Sequence, residues 1–486
     1  MDTHHQDLRR GFNWLGGAMV VAKVTDFGTI LVVLWFLTKR EVGIAALVVA
    51  IGTVIEALDG LGTGAALVQA RSLSRLQLAS LFWFILSAGV IAGALTMVAA
   101  PWLAALYGLP GLAPYFLPIA LKQPLVGAAV IPLALMSRNL QYERTAVVNV
   151  FATLATAATR VGLAAAGTGA WALVIASAAS GLYTLIGALL AKPFRPSLQF
   201  SMPAISPLVR FGLRAATSTL FEQSFNNVDY LLVGWFYGPT PLAIYRVAFE
   251  IGMQPALAAG TLVNRASLPV FARVAAVREH LSESLTWSLR RLAVVVAPLA
   301  VATVLAAQPI TGLIHDGEGR SYAAAALPLK LLAAAALLRV LSQLLYPLAL
   351  GSGHPKTALR LSAVTLLLLS SGMLIAGCVF PARGGIVAIA TVWLAIYPPL
   401  LVWEVGYLRR RWGMRAAELA RTLLLPFAAT LALAVIVTII RFALDGANAG
   451  FQVALIGAAL ALTYAGLYLQ ARQGGTSLDG GIGARH

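Results

Sequence analysis

The sequence predicts an all-α polytopic membrane protein with about 14 transmembrane helices: two pseudo-symmetric six-helix lobes followed by two C-terminal helices. Three observations predict it. Of 486 residues, 59% are hydrophobic and 11% charged, and apolar runs recur at about 20 residues, the length a helix needs to cross the bilayer hydrocarbon. Lys and Arg crowd into alternate loops, and residues 26–66 align without gaps on 226–266. A transmembrane barrel would instead show short segments of alternating polarity, which are absent.

In chain order the expected spans are 11–37, 42–68, 78–106, 113–136, 146–167, 169–191, 211–237, 241–270, 288–314, 322–350, 359–380, 384–407, 419–441 and 449–471. The opening MDTHHQDLRR leads into an apolar stretch that keeps Lys23 and Asp26 and lacks a small-residue cleavage site, so the first span is read as retained. Spans one to six form an N-lobe over 1–191. Residues 192–210, with Pro193, Pro196, Pro203 and Pro207, read as an extended linker on the cytoplasmic side. A C-lobe covers 211–408, the last two spans lie in 409–471, and a tail follows over 472–486. Gln123-Pro124 and Gln254-Pro255 are expected helix interruptions, because proline frees a carbonyl that must find another partner. Residues 272–288 have the pattern of an amphipathic surface helix.

An even number of spans puts both termini on one side, and the loop charges agree. Segments on the terminal side hold 23 Lys or Arg against five on the opposite side, which places both termini in the cytoplasm. The net charge of +17 is therefore a product of topology, with no basic domain to bind nucleic acid. Arg409, Arg410 and Arg411 read as an orientation signal beside anionic headgroups. A single cysteine, Cys378, excludes an intramolecular disulfide. The histidines lie in tails and loops without a cysteine cluster, so no metal or cofactor is expected.

The seventh and eighth spans carry polar stripes at helical spacing: Arg214, Ser218, Glu222, Asn226 and Asp229, then Arg246, Glu250, Gln254, Thr261 and Arg265. An ionisable group at mid-bilayer costs about 2.5–3.5 kcal/mol on insertion scales, so these faces should meet protein or water. The intramembrane cations Lys23, Lys122, Arg160, Arg246, Arg265, Lys330 and Arg339 are candidates to hold an anionic headgroup in a hydrated passage between the lobes. Asp26, Glu222, Asn226, Asp229 and Glu250 are candidates to bind a proton or another cation. Glu56, Asp59 and Glu404 complete the intramembrane acids.

A plainer reading is mutual neutralisation, with Lys23 beside Asp26 at i,i+3 and Arg246 beside Glu250 at i,i+4. Lys122, Arg160, Lys330 and Arg339 have no acid at pairing distance within their own helix, which favours the ligand-holding role for these four. Glu222, Asn226 and Asp229 suit interhelical hydrogen bonding as well as ion binding. No GxxxxGK[ST] loop is present, so nucleotide hydrolysis is not expected. Residues 60–64 (GLGTG) lack the βαβ setting of a dinucleotide site and read as a place of close helix packing. No outer loop is long enough for paired catalytic carboxylates, and an enzyme is not expected.

Residues 55–70 (IEALDGLGTGAALVQA) resemble the end of the second span of Wzx-type polysaccharide and oligosaccharide flippases, members of the multidrug/oligosaccharidyl-lipid/polysaccharide (MOP) superfamily. Residues 226–245 resemble that family's pattern of Asn/Asp, turn glycines and Tyr, here Asn226, Asp229, Gly234, Gly238 and Tyr245. Pro269 with Phe271, and 351–355 (GSGHP), fit too. The chain departs from the family where its usual Gly-Xaa-Tyr becomes Ala243-Ile244-Tyr245.

The resemblance implies a bacterial inner-membrane flippase, multi-pass, with two six-helix lobes and cytoplasmic termini. It would move an undecaprenyl-diphosphate-linked oligosaccharide outward by alternating access, for exopolysaccharide, O-antigen or capsule-type export. Membrane lipids, H+ or Na+, and a polysaccharide polymerase with export proteins would be its further partners. Alternatives are a multidrug cation exporter of the same superfamily, which would want an acid-dominated pocket, a membrane polysaccharide polymerase or ligase, which would need a large catalytic outer loop, and a non-transporting scaffold.

Overall fold

The computed structural model describes residues 2–473 except 71, 275–277, 353, 381–383, 413–415 and 444–447; the side chains of Asp59 and Arg265 also lie outside the described residues. Contacts divide the helical chain into two units, Met1–Ala243 with Asp316–Arg320, and Ile244–His315 with Ser321–His486. Among the described residues, 12 helical stretches are long and apolar enough to cross a membrane, each within a few residues of an expected span except where 288–314 begins earlier, at His280. The two expected spans outside that set are 211–237 and 241–270. Both are helical, the second in two pieces, Pro239–Gly252 and Gln254–Val274.

The first unit contains α1 (Asp2–Leu34), α2 (Lys39–Glu56), α3 (Thr63–Gln69), α4 (Arg75–Leu106), α5 (Phe116–Arg138), α6 (Tyr142–Ala165), α7 (Ala170–Ala191) and α8 (Met202–Tyr237). The expected span 42–68 is broken, because Gly60, Leu61 and Gly62 have φ of +65°, +45° and +64°. A Cβ on Gly62 would overlap the Gly212 carbonyl oxygen on α8, so this break is also where two backbones meet. The GLGTG segment thus works in packing. Around it, Leu67, Leu81, Ile85, Ile131, Ile205 and Val209 form a core joining α3, α4, α5 and α8.

The linker is shorter than expected. It is extended only to Ser201, held against α4 by Trp83 Nε1 donating to the Ser197 carbonyl at 2.9 Å and by the Ser201 amide donating to Ser80 Oγ at 2.9 Å. Residues 202–210 are already helix, since Pro203 falls in the first turn of α8, where a missing N–H breaks no intrahelical bond. Helix α8 packs against α2, α3 and α4 within this unit, so the contact boundary after Ala243 falls one helix later than the expected lobe boundary.

The segment Asp316–Arg320 is clipped to the turn before α2. The Asp316 carboxylate, 3% exposed, accepts from the amides of Glu318 (3.1 Å) and Arg320 (2.8 Å), from Arg320 Nε (3.2 Å) and from Lys39 Nζ (3.3 Å). The Gly317 amide donates to the Leu37 carbonyl at 2.9 Å. Desolvation pushes this carboxyl's pKa up, but the hydrogen bonds from the Arg320 backbone, Lys39 and the Arg320 side chain, with the Lys39 charge, outweigh it and hold the value below the usual carboxylate range.

The second unit takes in most of α9 (Pro239–Gly252), then α10 (Gln254–Val274), α11 (Arg278–Leu313), α12 (Ala326–Gln343), α13 (Leu345–Gly351), α14 (Pro355–Val379), α15 (Gly385–Trp412), α16 (Ala416–Ala443) and α17 (Ala449–Gln473). The expected interruption at Gln254-Pro255 is present, as α9 and α10 part at Met253. The one at Gln123-Pro124 is not, since α5 runs through Pro124 without a break. The amphipathic stretch at 272–288 is not a separate helix: from Arg278 onward it forms the opening turns of α11, while 275–277 lie outside the described residues. Helices α16 and α17 pack on α11 through Ala302, Ala306, Leu433, Val437 and Ile456, and Tyr464 Oη donates to the Val295 carbonyl at 2.5 Å.

Candidate functional site

In the first unit the intramembrane charges meet across helices. Lys122 on α5, 8% exposed, places Nζ 2.7 Å from Glu56 Oε1 at the end of α2. Its aliphatic stem passes Gly181 of α7, where an added Cβ would stand 3.0 Å from Lys122 Cγ; a larger residue there would push the lysine aside. Arg160 on α6 places Nη2 3.6 Å from Asp26 Oδ1 on α1 and donates from Nη1 to Thr29 Oγ1 at 3.1 Å. The two pairs differ in exposure. The Asp26 side chain is 47% exposed and that of Glu56 22%.

This arrangement replaces the within-helix pairing of Lys23 with Asp26: the carboxylate of Asp26 faces Arg160, and Lys23 is exposed. Of the stripe on α8, Arg214, Ser218 and Glu222 are exposed, Asn226 is half-buried and Asp229 is fully buried, accepting from the Tyr230 amide at 2.9 Å. Hydroxyls along the same helices turn back on their own carbonyls, as Thr29 does to Thr25 at 2.7 Å. The lines of charge therefore carry most of the polarity open to a partner.

In the second unit, Arg339 meets an aromatic ring and a thioether, and Glu404 a hydroxyl. Arg339 on α12 is 2% exposed, its guanidinium carbon 4.7 Å from the Trp393 ring centroid and its Nη1 3.2 Å from Met253 Sδ at the α9/α10 break. Trp393 Nε1 donates to Tyr245 Oη at 2.9 Å, and its ring stacks on Tyr397 with centroids 6.2 Å apart. Glu404 on α15, also 2% exposed, accepts a 2.6 Å hydrogen bond from Ser342 Oγ on α12. Arg246, Glu250 and Lys330 are half-buried, and the Nη1 of Arg246 is buried without a hydrogen-bond partner among the described residues. The Arg265 side chain lies outside the described residues.

Of the seven cations singled out in sequence, two are thus placed against carboxylates and one over an indole ring. What the spacing did not mark is Glu404 and the aromatic bracket of Tyr245, Trp393 and Tyr397. One signal was available, an acid set in the apolar run 400–406 (LLVWEVG).

A family model described as "Polysaccharide biosynthesis protein" matches residues 32–318, more than half of the chain. The chain is 23% identical over 388 residues to the teichuronic acid biosynthesis protein TuaB of Bacillus subtilis (strain 168), covering 77% of each. It is 24% identical over 311 residues to the succinoglycan biosynthesis transport protein ExoT of Rhizobium meliloti (strain 1021), covering 63% of each. In fold it is similar to the lipid II flippase MurJ in an inward closed conformation, with a TM-score of 0.74 and 12% identity over 94% of this chain and 97% of that one.

Proposed function

The chain belongs to the polysaccharide biosynthesis protein family, and from that premise we propose that it is a flippase, moving an undecaprenyl-diphosphate-linked oligosaccharide repeat unit across the bacterial inner membrane by alternating access. The family match over 32–318 carries the reading, and the MurJ-like helical fold supports it. The protein is a transporter and its chemistry is recognition, not bond making. Exopolysaccharide, O-antigen or capsule-type export is the setting, with both termini in the cytoplasm and the lipid tail left in the bilayer.

A diphosphate needs cations, and an ion pair is a cation held ready. In this reading Lys122 and Arg160 exchange Glu56 and Asp26 for phosphate oxygens as substrate enters, Arg160 as a planar fork and Lys122 as a point charge. Lys23, Arg246, Arg265 and Lys330 supply further positive charge along the path, and Arg339 stiffens the second unit's polar centre. Asp26, Glu222, Asn226, Asp229 and Glu250 are the candidates to bind H+ or Na+. One elementary charge crossing 100 mV supplies about 2.3 kcal/mol to the cycle.

The test is translocation of a polyprenyl-diphosphate oligosaccharide, labelled on its glycan, by the purified protein in liposomes. Lys122→Ala and Arg160→Ala should each lose most of the translocation while the protein stays folded. Export of organic cations that survives both substitutions, with no glycolipid movement by the unsubstituted protein, would favour the multidrug reading instead.

A further inference from the structure

The second unit holds a carboxyl in a place built for its neutral form. Glu404 is 2% exposed, and its Oε1 meets Ser342 Oγ at 2.6 Å. Its Oε2 is buried and meets no hydrogen-bond donor among the described residues. No ion pair reaches it among the described residues either. An ionised carboxylate has about four lone-pair sites to satisfy, and one hydroxyl leaves most of them empty in an apolar setting. A carboxylic acid fits better: a hydroxyl on Oε1 can donate to Ser342 Oγ, leaving Oε2 as a carbonyl-type oxygen, the kind of group that tolerates a missing donor best.

The charged and titratable neighbours on the helices packed against α15 do not supply what is lacking. From α12 come Arg339, whose guanidinium lies over Trp393 and donates to Met253 Sδ, and the half-buried Lys330, more than three turns before Ser342. From α14 come Lys356 and Arg360, both exposed. From α9 come Arg246, Glu250 and Tyr245, the last accepting from Trp393 Nε1. On α15 itself, Tyr397 stacks on Trp393, Tyr407 shares a 2.8 Å hydrogen bond with Thr357 Oγ1 of α14, and Arg409 and Arg410 are exposed.

We propose that Glu404 and Ser342 form a proton-binding site within the second unit, occupied while α12 and α15 close around it. When these helices part and water reaches the carboxyl, the O–H bond of Glu404 breaks, its electron pair stays on the carboxylate and the proton passes to water; reclosure reverses the step. The ligand is one proton. As an element of coupling this rests on the flippase reading, since a site filled in one conformation and emptied in the other would be charged and discharged once per transport cycle.

Infrared difference spectroscopy on the full-length protein in liposomes, compared between neutral and alkaline pH, tests it without any glycolipid. A C=O stretch of a protonated carboxyl is expected at neutral pH, absent from Glu404→Gln and displaced in frequency in Ser342→Ala, which keeps the carboxyl but removes its partner. Absence of that band from the unsubstituted protein, or its persistence in Glu404→Gln, overturns the proposal. Should Glu404→Gln not fold, an unmoved band in Ser342→Ala overturns it as well. Because the readout needs no substrate, loss of the band would leave the flippase reading standing, and a band with no glycolipid movement would overturn that reading alone.

Discussion

The side-chain contacts described for intramembrane charge differ between the two units. In the first, Glu56 and Asp26 each face a cation from another helix. In the second, Glu404 faces a hydroxyl, and Arg339 lies across an indole. A paired carboxylate gives its cation a partner that another anion can displace. A carboxyl backed only by a hydroxyl has no such partner, and protonation is the change left open to it. On the readings proposed above, the ion pairs are the place for phosphate and Glu404 the place for a proton.

The contrast can be broken most forcefully at Trp393, which is 1% exposed and supports Arg339, Tyr245 and Tyr397 together. Trp393→Ala should destabilise the protein by about 3–5 kcal/mol in thermal unfolding. A smaller loss would mean that the aromatic bracket is not what holds the second unit's charge. Next in size is Lys122→Ala, expected to cost about 2–3 kcal/mol by leaving Glu56 without its cation, with much of that recovered in the double variant Lys122→Ala/Glu56→Gln. If the double variant is no better than the single, Lys122 matters for packing and not for charge.

Tyr245→Phe removes the acceptor of Trp393 Nε1 and should cost about 1 kcal/mol, again read from unfolding. The double-mutant cycle between Arg160 and Asp26 should give under about 1 kcal/mol, because the pair is longer and half open, and coupling as large as that of Lys122 with Glu56 would erase the ranking by exposure. The smallest effect is local and depends on pH. Since the Asp316 carboxyl is held below its usual range, its contribution is complete above the unfolded carboxylate range and is lost as pH falls through the depressed value. Exchange of the Gly317 and Arg320 amides should therefore accelerate only under strong acid, and Asp316→Asn should show the fast exchange at every pH.

The spans were legible because apolar length is a property of one helix at a time, and the 12 apolar stretches fall close to where the sequence placed them, save for the early start at His280. Where helices meet was not. The kink at 60–62 depends on α8 pressing against Gly62, and α5 keeps its course through Pro124 while α9 ends at Met253, though both sites present Gln-Pro. Among the site residues, Lys122 and Arg160 stood out as cations without a partner in their own helix. Their partners lie 66 and 134 positions earlier in the chain, at Glu56 and Asp26, and no helical spacing reports on such pairs. Glu404 was visible only as one more intramembrane acid, since its distinguishing property is that, among the described residues, it meets a hydroxyl and no cation.

The polar stripes on α8 and on α9 with α10 carry a further consequence for biogenesis. A nascent helix too polar to partition into lipid unaided leaves the translocon most readily if a partner is already waiting. For α8 that partner exists, because α2, α3 and α4 are synthesised before it. For α9 and α10 the supporting residues Arg339 and Trp393, and the helices α11 to α13, emerge from the ribosome later. These two helices should linger at the insertion machinery until the chain has grown past α15.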